Sequence, residues 1–130
     1  MTAVWGDRLL RVLGGLVATA LAAVSALYEA GFCTLYVDAV RLPLAPLLAV
    51  VCNPALVWFA SRATGRKSAA LAPALVWCCV WFVAARRTTE GDWVVLPDNW
   101  VAILTTLLGP LAFAVAIYRA TLGSAALAPR

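Results

Sequence analysis

LPLAPLLAVVCNPALVWFAS, residues 42–61, decides the fold of this chain. Arg41 and Arg62 stand at its two ends, and no charged residue falls between them. A helix of that length, rising 1.5 Å per residue, covers roughly the 30 Å hydrocarbon core of a bilayer. Its apolar residues fall on every face. That is neither the single stripe of a soluble surface helix nor the alternation of a membrane barrel strand.

Working outward, the charges delimit three more runs of the same kind. Arg11 and Asp38 enclose one that only Glu29 interrupts, Lys67 and Arg86 enclose another, and Asp98 and Arg119 the last. The sequence therefore predicts an all-α polytopic membrane protein, a four-transmembrane-helix bundle in a single domain over residues 1–130. The expected spans are about 10–31, 42–61, 68–85 and 100–118, with an outer loop at 86–99. Helices are required because an unpaired backbone group in hydrocarbon costs several kcal/mol.

Composition agrees. Apolar residues make up 65% of the 130 and charged residues 12%, against roughly 45–50% and 25% in soluble domains. So short a chain cannot enclose that much apolar surface in one soluble core. The ten basic residues lie at the borders of the apolar runs, with no cluster that would bind nucleic acid. Heavy use of Ala, Val, Leu and Arg points to a GC-rich bacterial genome.

Orientation follows from the basic residues in the connections. Arg8, Arg11, Arg62, Arg66, Lys67, Arg119 and Arg130 fall on one side, and Arg41, Arg86 and Arg87 on the other. Seven against three puts both termini in the cytoplasm, in a bacterial plasma membrane. The first run also has the basic lead and small residues (Val24, Ala26) of a signal peptide, but it outlasts the 7–15 residues of an h-region. It is expected to remain as a span.

Few residues suggest chemistry. Histidine is absent, which removes imidazole catalysis and imidazole metal sites. Cys33, Cys52, Cys78 and Cys79 lack metal or redox spacing. Cys33 is expected near the outer mouth as a free or oligomer-linking thiol, and the others as apolar packing residues. No catalytic residue, metal or cofactor is expected. Glu29 falls near residue 18 of its run, counted from Val12, so it is expected at the outer interface as a solvated helix-end carboxylate. The spans are otherwise free of ionisable groups, where coupled transporters need one.

At mid-depth, span two carries Asn53-Pro54 and span four Gly109-Pro110. Proline removes a backbone donor and kinks a helix, and the Asn53 amide needs a freed carbonyl or a neighbouring helix as partner. Matched broken helices can build a midplane solute site, although proline is also simply common in such spans. Helix one offers a small-residue packing face, Gly15, Ala18, Thr19, Ala22 and Ala26, which suits close helix contact within the bundle or with a partner. Ala112, Ala116 and Ala120 repeat the pattern in span four.

The loop RRTTEGDWVVLPDNW, residues 86–100, places Arg86 and Arg87 where they can pair with Glu90 or Asp92. Trp93 and Trp100 read as interfacial anchors, and Val94-Val95-Leu96 between them as a segment lying on the surface or across the mouth. Glu90-Gly91-Asp92-x-Val94-Val95, followed by a Trp-led span with Leu108-Gly109-Pro110, resembles an uncharacterised actinobacterial family of small four-span membrane proteins. That family's pattern has Pro where Thr89 stands here. The resemblance implies topology and origin over the second half of the chain, and no functional residue. Small multidrug transporters carry a glutamate in the middle of span one, where this chain has Ala20 to Ala23. The polar pore motifs of fluoride channels are missing.

The expected function is a non-enzymatic accessory or structural subunit acting through helix packing. Its expected partners are the lipid bilayer and another membrane protein or a second copy. The alternative is a small transporter or channel component that uses the kinked spans two and four.

Overall fold

The computed structural model describes residues 2–93, 95 and 98–125. Its helices are α1 (Thr2–Phe32), α2 (Leu44–Thr64), α3 (Leu71–Ala84, entered through a 3-10 turn at Lys67–Ala70) and α4 (Trp100–Ala125). Four helical segments are long and apolar enough to cross a membrane: Val4–Phe32, Leu44–Thr64, Lys67–Ala84 and Trp100–Gly123. The all-α class and the number of helices match the sequence reading.

The helices are longer than the charge-delimited runs. α1 begins at Thr2 and carries Asp7 and Arg11 as an exposed ion pair of 2.9 Å, one helical turn apart. α4 likewise passes Arg119 and reaches Ala125. A charge limits how much of a helix can sit in hydrocarbon, but it does not end the helix. Pro54 and Pro110 both lie inside continuous helices. α2 stops at Gly65, whose φ of 67° is the left-handed conformation that closes many helices.

α1 runs alongside α2 and α3, and α2 runs alongside α4. α3 and α4 complete the ring at a wider spacing filled by aromatic side chains. The expected packing face of α1 points inward. Ala18, Ala22, Ala26 and Ala30 are buried, with Gly15 and Thr19 half-buried beside them. The Thr19 hydroxyl donates to the Gly15 carbonyl at 2.8 Å, so it leaves no polar group unsatisfied. Ala45, Ala49 and Ala60 supply the small residues of α2. Large apolar side chains such as Leu16, Val51, Phe82 and Leu107 project outward, all at least 60% exposed.

The α1–α2 connection is a two-stranded hairpin, β1 (Tyr36–Val37) and β2 (Val40–Arg41), turned through Asp38 at φ 53°. The Arg41 side chain lies over the Tyr36 ring, 5.0 Å from its centroid, and hydrogen-bonds the Tyr36 hydroxyl. The expected pairing of Arg86 or Arg87 with Glu90 or Asp92 is absent among the described residues. Instead the Arg87 Nε donates to the Gly91 carbonyl at 2.8 Å, and the Thr88 backbone N–H to the Asp92 carbonyl at 2.8 Å, closing a tight turn. Backbone carbonyls inside the turn are nearer to Arg87 than either carboxylate. Val95 is buried against the bundle and donates its N–H to the Ala84 carbonyl at 3.3 Å, so this residue packs across the mouth. Val94 and Leu96 lie outside the described residues.

Candidate functional site

Glu29 departs most from expectation. It is 0% exposed and faces the bundle interior, where the sequence reading expected a solvated carboxylate. The four apolar helices therefore do hold a buried ionisable side chain. Helical periodicity explains the burial: Glu29 lies three residues after Ala26 and seven after Ala22, on the face that α1 presents to its neighbours. Ser25, one turn earlier, donates its hydroxyl proton to Oε1 at 2.7 Å. Trp77 of α3 donates its indole N–H to Oε2 at 3.1 Å. No ion pair reaches Glu29 among the described residues; each of its oxygens is held by a neutral donor.

Trp77 carries the arrangement across the bundle. It is fully buried, stacks on Trp81 with ring centroids 5.4 Å apart and planes 4° apart, and meets Phe113 edge-on at 6.0 Å. Its outer ring edge lies on Gly109 of α4, where an added Cβ would fall under 3.0 Å from three ring atoms. Only glycine leaves room for the indole at that point. The Gly109 carbonyl accepts a hydrogen bond of 3.2 Å from the Asn53 amide of α2. Ser25 and Glu29, Trp77, Gly109 and Asn53 thus form one contiguous node with a contribution from every helix.

The two mid-helix motifs singled out in the sequence meet here. Asn53 finds its partner on a neighbouring helix, and its Oδ1 is buried without a donor. Pro54 and Leu108 line a shallow groove on the outer side of the α2–α4 contact, together with Val50, Ala112 and Ala116. Pro110 is exposed. Arg86, Arg87, Glu90, Asp92, Trp93 and Trp100 are all exposed at the loop end, away from the node.

A second polar cluster closes the loop end. Asn99 caps α4 by accepting the Val101 N–H at 3.0 Å, while its amide donates to the Cys33 carbonyl at 2.6 Å. Cys33 is buried, not presented at the mouth, and its thiol interacts with the Thr105 hydroxyl. Burial pushes that thiol up to about 11, which leaves it unreactive at neutral pH. Asn99 had a legible signal, a capping residue directly before an apolar run. Trp77 had none, since nothing in a uniformly apolar span marks which aromatic turns inward.

A cavity of about 560 Å³ lies between α1 and α2. Ser25, Glu29, Cys52, Leu56 and Phe59 are among its lining residues, as are the exposed Tyr28 and Trp58. No protein-family model, curated protein or solved structure matches the chain.

Proposed function

We propose that the protein is a small membrane-embedded solute-handling component, a transporter or channel subunit without enzymatic activity, whose working group is Glu29. The observation behind this reading is a fully buried carboxyl with no counter-charge among the described residues, set in the wall of a cavity between two helices. An ionisable group inside a membrane span is expensive to keep there and is a functional site by default. The four apolar helices would then be spans of a bacterial plasma membrane. Seven basic residues against three support cytoplasmic termini.

An accessory role through helix packing remains a second reading. The groove of Pro54, Ala112 and Ala116 favours it, because small residues there would admit a partner helix. The alanine face of α1 no longer does, because the bundle itself covers it.

Flux into liposomes separates the two. With the purified protein reconstituted alone, at least one solute from a panel of cationic, neutral and anionic amphiphiles should cross faster than through empty liposomes. Glu29→Gln should slow that flux tenfold or more while helix content is kept. A stoichiometric membrane partner in mild detergent, together with flux indifferent to Glu29→Gln, would instead support the accessory role. Orientation is checked on intact cells: a membrane-impermeant maleimide should label Thr89→Cys and spare Ser68→Cys, both exposed positions at opposite ends of α3. The reverse labelling pattern would invert the topology.

A further inference from the structure

We propose that a second cavity, at the charged end of α1, binds the phosphodiester headgroup of an anionic phospholipid between Arg8 and Arg66. The site is separate from Glu29 and goes beyond the solute-handling reading.

This cavity, of about 600 Å³, lies between the start of α1, the end of α2 and the 3-10 turn that follows, and its polar lining includes Asp7, Arg8, Arg11, Thr64 and Arg66. Helical period explains the α1 side. Val4, Arg8, Val12 and Gly15 recur at steps of four, four and three, so they form one stripe, with Asp7 and Arg11 on the next. The stripe faces α2, since a Cβ added to Gly15 would lie 3.3 Å from the Thr64 Cγ2.

Two of the polar side chains are occupied within the wall. The Arg11 Nη2 pairs with Asp7 at 2.9 Å. Its Nη1 reaches across to Gly65, 3.2 Å from where a Cβ would stand, at the end of α2 that favours a cation. The Thr64 hydroxyl donates to the Ala60 carbonyl at 2.7 Å and accepts the Arg66 N–H at 3.2 Å, which ties the Arg66 backbone to α2. Arg8 and Arg66 remain, one from each side of the cavity, and neither has an ion pair among the described residues. Three arginines against one aspartate leave the lining with a surplus of two positive charges.

A phosphate complements that surplus, because a guanidinium fork donates paired hydrogen bonds to its oxygens. Basic pockets between membrane helices suit anionic lipid headgroups for this reason. A headgroup that carries its own ammonium is opposed by the same surplus. The apolar neighbours of Arg8 favour a lipid over a free phosphate. Val12 lines the cavity on the Arg8 stripe and the exposed Leu16 continues it, about 6 and 12 Å of helix rise beyond Arg8. An acyl chain leaving the headgroup can lie along both, whereas a free phosphate gains nothing from them. The other basic residues Arg62 and Arg119 are placed elsewhere, Arg62 over the Trp58 ring at 5.9 Å and Arg119 in the groove of Pro54 and Ala112.

Native mass spectrometry of the full-length protein, delipidated in non-ionic detergent, counts the lipids it retains. The protein should hold one phosphatidylglycerol with half-saturation about tenfold or more below that of phosphatidylethanolamine, the scale of one charge-assisted hydrogen bond. Arg8→Gln together with Arg66→Gln, both exposed positions, should erase that difference. Arg62→Gln together with Arg119→Gln removes as much charge outside the cavity and should leave the difference in place. Equal retention of the two lipids by the unsubstituted protein would overturn the proposal. So would equal weakening by the two double variants, which would reduce binding to overall charge. Inorganic phosphate in large excess should leave the phosphatidylglycerol bound; its displacement would give the cavity to a free phosphate and overturn the lipid assignment. Retention is measured without flux, so it is decided separately from the role of Glu29.

Discussion

The two sides of the bundle are held together by opposite means. Where α1 meets α2 and α3, the contact is built from small residues: Ala18, Ala22, Ala26 and Ala30 are buried, and a Cβ on Gly14 would come within 2.7 Å of the Ala63 Cβ. Backbones approach closely there, and dispersion between many small groups provides the attraction. Where α3 faces α4, Trp77, Trp81 and Phe113 hold the helices apart and fill the gap with stacked and edge-on rings. At Gly14 the small-residue side has no room for added volume. The aromatic side depends on volume already present, and almost all of it belongs to two tryptophans. Glu29 sits where the two meet, rooted in the alanine face and bonded to the aromatic one.

Truncation should therefore hurt the aromatic side most. Trp77→Ala removes the indole that fills the space over Gly109, its stack on Trp81 and its bond to Glu29. The expected loss is about 3 kcal/mol of unfolding free energy, at the low end for a buried aromatic. Equilibrium unfolding in mixed detergent micelles measures it. Gly109→Leu introduced together with Trp77→Ala should restore part of the loss by refilling the same space. A loss below 1 kcal/mol for Trp77→Ala would show that the α3–α4 contact does not depend on that ring.

On the small-residue side the damaging change is addition. Gly14→Val places a branched side chain against Ala63 and should cost about 2 kcal/mol by overpacking. Ala63→Gly in the same chain should recover roughly half. The same unfolding assay reads both, and a neutral Gly14→Val would mean that α1 and α2 can separate there at no expense.

How much of this could be read from the sequence depends on which coordinate of a residue matters. The number and rough extent of the apolar helices were legible, because charges at Arg41, Arg62, Lys67 and Arg86 delimit them. Orientation around the helix was legible only on α1, where alanines at every fourth place mark the inner face. Glu29 shows the difference. Its depth, one turn from the end of α1, suggests a solvated carboxylate, but its place on the alanine face puts it inside. Ser25 four residues earlier belongs to the same signal. On α3 the hydropathy is nearly uniform, so nothing distinguished the buried Trp77 from the exposed Phe82. Asn53 and Gly109 each stood out as mid-helix features, but that they meet depends on how α2 and α4 cross, which is a property of the packed bundle.

The smallest effect on stability should come from Asn53, and its smallness is informative. The amide makes one hydrogen bond, to the Gly109 carbonyl, and leaves Oδ1 buried without a donor. Interhelical polar bonds of this kind average about 0.6 kcal/mol in membrane bundles. An unsatisfied buried acceptor costs about 1–3 kcal/mol. Asn53→Leu deletes both terms together, so with the cost at the low end of its range the unfolding free energy should rise by less than about 1 kcal/mol. A loss of 2 kcal/mol or more would show that the amide does much more for the fold than its one bond. If stability holds while Glu29-dependent flux falls, Asn53 belongs to the working node and not to the scaffold. If flux is also unchanged, the node ends at Trp77 and the α2–α4 crossing serves only to hold Gly109 beneath it.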